Sequence, residues 1–201
     1  MYGNIGIADQ HPAIPVVRLE PSQEERLAGV LIRAFHDEPP FRYMVPDEQE
    51  RLRLLTGYFR WAIRASQQYG AIHTTPTVEG GALWVSPEHM LEWSNLSRYM
   101  YPATPLEEVH SRLAGRSHWY LLALGVEPSK QGMGIGGTLI QPILRQADTT
   151  GRSCYLRTFN EKSLRFFESH GFRIAAAGKI PDGGPDFWAM IRAPQTSVRQ
   201  S

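Results

Sequence analysis

Cysteine is nearly missing from this chain: Cys154 is alone among 201 residues. One cysteine makes no internal disulfide and cannot build a thiolate metal site. No His/Asp/Glu cluster has metal-ligand spacing, so no metal is expected. Long apolar runs are missing too. None approaches the ~20 residues needed to span a bilayer. The stretch from Met1 to Pro15 has no basic segment followed by an apolar core, which argues against a signal peptide. The cytoplasm is the expected location, with no membrane partner. Charge of one sign is also lacking, because 21 Lys and Arg face 20 Asp and Glu for a formal net charge of +1. That balance gives no electrostatic reason to expect a nucleic acid partner.

What is present is the make-up of an ordinary folded domain, 42% hydrophobic and 20% charged. One domain is expected over residues 14–193, with 1–13 and 194–201 as loose tails. Ile14 to Leu19 reads as a short first strand. Leu27, Val30, Leu31, Ala34 and Phe35 recur at helical spacing, and that helix should stop before Pro39-Pro40. His36 to Pro46 reads as an irregular connecting loop or a substrate-contacting one. Asp47 to Gln68 is a second helix, with Leu52, Leu55, Phe59, Ala62 and Ile63 on one face. Ala71–Thr77 and Gly81–Val85 read as a hairpin around Glu79-Gly80-Gly81. Residues 89–113 read as helical pieces inserted between strands.

His118 to Val126 is the most continuously apolar run, and predicts a central strand buried on both faces. A turn, Glu127-Pro128-Ser129-Lys130-Gln131, leads into Gly132-Met133-Gly134-Ile135-Gly136-Gly137-Thr138. A helix follows to about Thr150, with Ile135, Leu139, Ile140, Ile143, Leu144 and Ala147 toward the sheet and a kink expected at Pro142. Ser153–Thr158 is a strand and Asn160–His170 a helix. Phe172–Ala177 and Phe187–Arg192 form a last strand pair.

A glycine turn at a helix start gathers free backbone N–H groups, and the helix dipole favours an anion there. The stretch therefore reads as a phosphate or pyrophosphate site. Gly132 to Gly137 matches G-x-G-x-x-G literally. A dinucleotide fold is nevertheless disfavoured, because five residues separate Val126 from Gly132 and no acid stands at Tyr155-Leu156-Arg157 to hold a ribose. A P-loop fails because Thr138 stands where a lysine is needed.

The strand, the V-x-P-x-x-Q-G-x-G-x-G turn and the helix resemble the acetyl-CoA site of the GNAT N-acetyltransferase superfamily. Its Q/R-x-x-G-x-G/A signature is met by Gln131, Gly134 and Gly136. Asn160 to Phe172 resembles a second family element, N-x-x-x-x-x-F-Y-x-x-x-G-F. More narrowly, the chain is similar to puromycin-type acetyltransferases in its Trp119-to-Val126 strand, its second element and its Pro181–Met190 end. The resemblance implies a mixed, mostly antiparallel, splayed α/β sheet flanked by helices. It implies acetyl-CoA as co-substrate. The pyrophosphate would rest on the amides of Gly132 to Gly136, with Met133, Ile135, Gly137 and Thr138 beside it. The pantetheine arm would pair along Leu124-Gly125-Val126, where Gly125 lets it approach closely. Asn160, Ser163, Phe166 and Phe167 would complete the CoA contacts.

The implied activity is direct transfer of an acetyl group, through a tetrahedral intermediate, to a primary amine of a small molecule. The implied protein is a monomer or homodimer. A protein or peptide N-acetyltransferase and a silent acyl-CoA-binding module are the alternatives. An oxyanion donor is implied near Val126. Alternation along the strand puts His118, Tyr120 and Leu122 on one face. His118 is a candidate base, with Tyr120 where the family has a glutamate, and Glu38 and Glu79 as further candidates. Phe167 stands where the family has its acidic tyrosine. It has no proton to give, so Tyr120 or Tyr155 would have to substitute, or thiolate release would go uncatalysed. Cys154 reads as a buried small hydrophobe.

Overall fold

The computed structural model describes residues 14–93, 109–110, 112–113 and 117–195. In chain order the elements are β1 (Val17–Arg18), α1 (Glu24–Phe35), α2 (Pro39–Met44), α3 (Glu48–Tyr69), β2 (Gly70–Thr74) and β3 (Gly80–Val85). After them come β4 (His118–Val126), α4 (Ile135–Thr150), β5 (Ser153–Thr158), α5 (Leu164–Ser169), β6 (Arg173–Lys179) and β7 (Asp186–Arg192). Most of the expected insertion helices lie outside the described residues. Among the described residues, no helix is long and apolar enough to cross a membrane.

The strands form one open sheet in the order β1-β2-β3-β4-β5-β7-β6. All neighbours are antiparallel except β4 and β5. That exception shapes the site. The parallel pairing ends at Leu121 opposite Leu156. β4 runs on to Val126 with β3 on one side only, while Arg157 and Thr158 of β5 keep β7 alone as neighbour. Five residues of β4 therefore keep an open edge, roughly 16 Å long at strand rise.

The two faces are covered by different helices. Leu27, Leu31, Leu55, Phe59 and Ile63 of α1 and α3 pack on one face, against Ile72, Leu83 and Ala123. Leu139, Ile140, Ile143 and Leu144 of α4 pack on the other, against Trp84, Trp119, Leu121 and Leu156. The helix continues without a break through Pro142. An interior proline costs about 3 kcal/mol. Four fully buried aliphatic side chains, at about 1.5–3 kcal/mol each, outweigh that.

Four sequence expectations change. The loop expected at His36–Pro46 contains α2, because Pro39 and Pro40 occupy its first turn, where a missing N–H costs nothing. On α3 the buried seam begins with Arg51, 6% exposed, while Leu52 is 47% exposed. The β2–β3 turn spans Thr75 to Glu79, with Val78 at φ +52°. Gly80 and Gly81 lie within β3. A Cβ on Gly81 would stand 2.5 Å from Leu27, and one on its partner Gly125 would stand 2.7 Å from Leu31. These glycines let α1 lie close on the sheet. Gly125 therefore serves helix packing.

Candidate active site

A cavity of about 1,090 Å³ opens where β4 loses β5 as a neighbour. Its wall runs from Leu121 along the free edge of β4, around the glycine turn and into the first turns of α4. Gly132 and Gly134 adopt φ values of +77° and +80°, which side chains other than glycine resist. Thr138 is the first residue of α4 whose N–H finds a helical acceptor, the Gly134 carbonyl at 3.1 Å. The amides of Ile135, Gly136 and Gly137 precede it and have no partner one turn back. Nothing lies within 4 Å of where a Cβ on Gly132 or Gly134 would stand. Open space, free donors and the positive end of a helix dipole fit a pyrophosphate.

The turn is braced from outside. Gln131 donates from Nε2 to the Val126 carbonyl at 3.2 Å. Arg33 of α1 grips Glu127 through two nitrogens, the shorter contact being 2.6 Å. That bond holds the Glu127 carboxyl below its usual range. Glu127 N–H donates to the Glu79 carbonyl at 2.8 Å.

Of the residues expected to bind the co-substrate, Leu124, Gly125, Val126, Gln131, Gly132, Gly134, Ile135, Gly136, Gly137, Thr138, Asn160, Ser163, Phe166 and Phe167 line this cavity. Met133 does not; its side chain is 60% exposed. Ile135 also packs into the core against α4's neighbours on the sheet. His170 and Arg145, not anticipated from sequence, also line the wall. His170 packs so closely that its Nε2 lies 2.9 Å from a Cβ built on Gly137.

A second cavity, of about 280 Å³, adjoins the first. Eight aromatic residues line it, among them Phe35, Phe41, Tyr58, Trp93 and Tyr120. Pro40, Tyr43 and Met44 of α2 face it from one side, and Ile180 and Pro185 of the β6–β7 loop from another. Tyr43 ties these two sides together, its hydroxyl bonding to the Pro181 carbonyl at 3.1 Å. The two cavities share Phe35, Glu38, Leu122, Ala123, Arg157 and Thr158.

That junction coincides with a β-bulge. Leu83 pairs with Ala123 but Trp84 with Leu121, so Leu122 is passed over. The extra residue resets the alternation of β4. Trp119, Leu121 and Leu124 face α4, while Leu122 and Ala123 both lie on the α1–α3 side.

The bulge and the strand's length separate the catalytic candidates. Tyr120 lines the smaller cavity, and its oxygen accepts from Arg157 Nη2 at 2.7 Å and Nε at 3.2 Å. His118 lines neither cavity. It is 1% exposed, with Nε2 2.7 Å from Nε2 of His110 and Tyr155 against its ring. The structure therefore does not bring His118 together with the residues that line the cavities. Tyr155 is itself fully buried and lines neither cavity. Cys154 is likewise fully buried, and burial pushes its thiol up to about 12, far from a nucleophilic thiolate.

Glu38 stands at the junction. Asn160 donates from Nδ2 to its Oε1 at 3.1 Å, while Asn160 Oδ1 accepts from Lys162 N–H at 3.1 Å as an N-cap. Burial raises the Glu38 carboxyl above its usual range, and the Asn160 bond opposes this in part. Arg51 fixes the segment that carries it, donating to the carbonyls of His36, Val45 and Pro46 at 2.9–3.1 Å. The sequence gives Arg51 no signal beyond its place one residue off the apolar stripe.

The acetyltransferase (GNAT) family model matches residues 101–172. An uncharacterized N-acetyltransferase of Schizosaccharomyces pombe is 24% identical over 90% of this chain and 84% of its own. The histone acetyltransferase HPA2 and related acetyltransferase from Corynebacterium glutamicum has the same fold, with a TM-score of 0.67 and 22% identity over 91% of this chain and 97% of its own. An agmatine N-acetyltransferase is similar at a TM-score of 0.61 and 14% identity, over 90% of this chain and 100% of its own. The open seven-stranded sheet flanked by helices is the fold of GNAT acetyltransferases. Together, the family match over β4, its turn and α4 and the named relative support a place in the GNAT superfamily and indicate an acetyltransferase.

Proposed function

We propose that this protein transfers the acetyl group of acetyl-CoA to the primary amine of a small molecule with an apolar or aromatic body. The observation that carries this reading is the meeting of two cavities at the Leu122 bulge. The wider one has free helix-start amides at one end and an open strand edge along its wall. The narrower one is aromatic and closed over by the contact of Tyr43 with Pro181. A cavity of about 280 Å³ under such a cover suits a small amine better than a polypeptide. Structures with this fold are named for action on a histone and on agmatine, so the cavity and not the fold chooses between substrate classes.

Acetyl-CoA supplies a thioester whose carbonyl oxygen gains negative charge as the amine attacks. In this reading the amides of Gly132 to Gly137 hold the pyrophosphate, and the free edge of Leu122–Val126 takes the pantetheine amides as an added strand. The oxyanion then falls at the bulge, beside the N–H groups of Leu122 and Ala123, and not at Val126 as first expected. Phe167 offers no proton to the departing thiolate. Tyr120 does, because its oxygen accepts from Arg157 and keeps its own hydrogen to donate.

A thiol-release assay with acetyl-CoA and a panel of 2-phenylethylamine, puromycin, spermidine and a lysine-containing histone peptide tests this. Turnover should favour 2-phenylethylamine or puromycin, whose bodies are aromatic. Preference for the peptide would overturn the small-molecule reading. Acetyl-CoA binding with no thiol release from any amine would favour a silent acyl-CoA-binding module.

A further inference from the structure

We propose that Glu38 is the base that takes the proton of the acceptor amine, and that Asn160 positions it. The inference rests on the acetyl transfer proposed above and names a group that β4 does not carry. Glu38 is the one carboxylate among the described residues lining either cavity, and it lines both. The amine and the thioester would meet at that junction.

The carboxylate is held, yet only half used. Asn160 occupies Oε1, and Oε2 accepts no hydrogen bond from the described residues. The Asn160 amide can satisfy both Glu38 and the Lys162 N–H in one orientation only, so its NH₂ group is committed to the carboxylate. The backbone is fixed as well. Glu38 N–H donates to the Phe35 carbonyl at 3.1 Å, and its own carbonyl accepts from Phe41 and Arg42 at the start of α2. A base placed this firmly gives the geometry that general-base catalysis needs first. Its raised proton affinity then brings it nearer to that of an amine.

The other titratable groups around the junction are Arg157 of β5, Tyr120 of β4, Tyr58 of α3 and Tyr43 of α2. None is a carboxylate or an imidazole, the types that ionise on the acid side of neutrality. His36 and Asp37 pair with each other at 3.3 Å and line neither cavity. His170 lies at the turn end of the wider cavity, against Gly137.

The amine arrives as an ammonium ion. Glu38 Oε2 takes one proton and frees the nitrogen lone pair, which forms the C–N bond while the carbonyl π pair moves onto oxygen. That pair then returns and the C–S bond breaks. The sulfur leaves with the bonding electrons and takes the Tyr120 proton, and the second nitrogen proton restores the Tyr120 hydroxyl. The products are the amide and CoA thiol, and Glu38 releases its proton to solvent.

The test compares wild type, Glu38→Gln, Glu38→Asp and Asn160→Ala with the most active amine of the panel. Glu38→Gln should lower kcat by about a hundredfold or more and abolish the fall of kcat/KM on the acid side. Glu38→Asp should keep that limb at a reduced rate. Asn160→Ala should move the limb, since the bond that opposes burial is gone. Calorimetry should give the same acetyl-CoA affinity for Glu38→Gln as for wild type, and about tenfold weaker binding of 2-phenylethylamine alone. A Glu38→Gln enzyme within threefold of wild type, with its acid limb intact, would overturn the proposal and leave the acetyl transfer standing. A wild type inactive with every amine would instead remove the function on which it rests.

Discussion

Around the wider cavity, proposed above for acetyl-CoA, the groups on offer are backbone donors within one continuous stretch, from the open edge of β4 to the first turn of α4. The smaller cavity, proposed above for the acceptor, takes side chains from α1, α2, α3, β4, β5 and the β6–β7 loop. The first half needs glycine φ angles and a helix dipole, which local sequence sets. The second needs several distant elements to stay in place, and Arg51, Asn160 and Tyr43 are the ties that keep them there. A ligand common to a whole fold suits the first construction. A ligand particular to one chain suits the second.

The comparison breaks most sharply at Gly134. Its φ of +80° is costly for a β-branched residue, at about 1–2 kcal/mol, and a distorted turn loses its convergent donors. Gly134→Val should weaken acetyl-CoA binding about a hundredfold by calorimetry, or about 2.7 kcal/mol. Binding of the amine alone should not change.

Acid acts on the scaffold under both halves. His73 of β2 is buried, and burial, helped by the charge of Arg18, lowers its pKa to about 4. The unfolded chain therefore binds this proton first. Stability is complete above the ordinary histidine value and is lost as pH falls from there toward about 4. The loss amounts to about 3 kcal/mol. Urea unfolding between pH 7 and pH 4 should record it, and His73→Phe should flatten it. The same curve separates acid unfolding from the acid limb assigned to Glu38.

Arg51→Ala should strike the acceptor half alone. It removes the donor to three backbone carbonyls around Glu38, which costs about 2 kcal/mol of stability in thermal unfolding. KM for the amine should rise while acetyl-CoA affinity stays the same. Gln131→Ala is the smallest change. It removes one brace to the Val126 carbonyl and should weaken acetyl-CoA binding about threefold to fivefold, near 1 kcal/mol.

The same division explains what the sequence revealed. β4 and β5 begin and end where their apolar runs do, and the six apolar positions of α4 face the core as their spacing indicates. The glycine turn is visible because its chemistry is contiguous. The bulge at Leu122 is not, because His118 to Val126 reads as one continuous apolar run and only pairing with β3 shows the extra residue. The burial of His118 is hidden for a related reason. Position along a strand says nothing of the layer above it, and His110 and Tyr155 close that layer. Glu38 sits in a proline-rich segment whose helix propensity is hidden, and its importance comes from Asn160, far along the chain. Gly81 reads in the sequence as a turn residue and Gly125 as a place of close approach, and neither reads as space for α1.

The most direct test of the joined-cavity account is a crystal structure of the protein with CoA and the acetylated amine product. The expected result has the pyrophosphate on the amides of Gly132 to Gly137, the sulfur beside Leu122 and Ala123, and the amide nitrogen facing Glu38 Oε2. A product bound outside the aromatic cavity, or a CoA sulfur remote from Glu38, would contradict it.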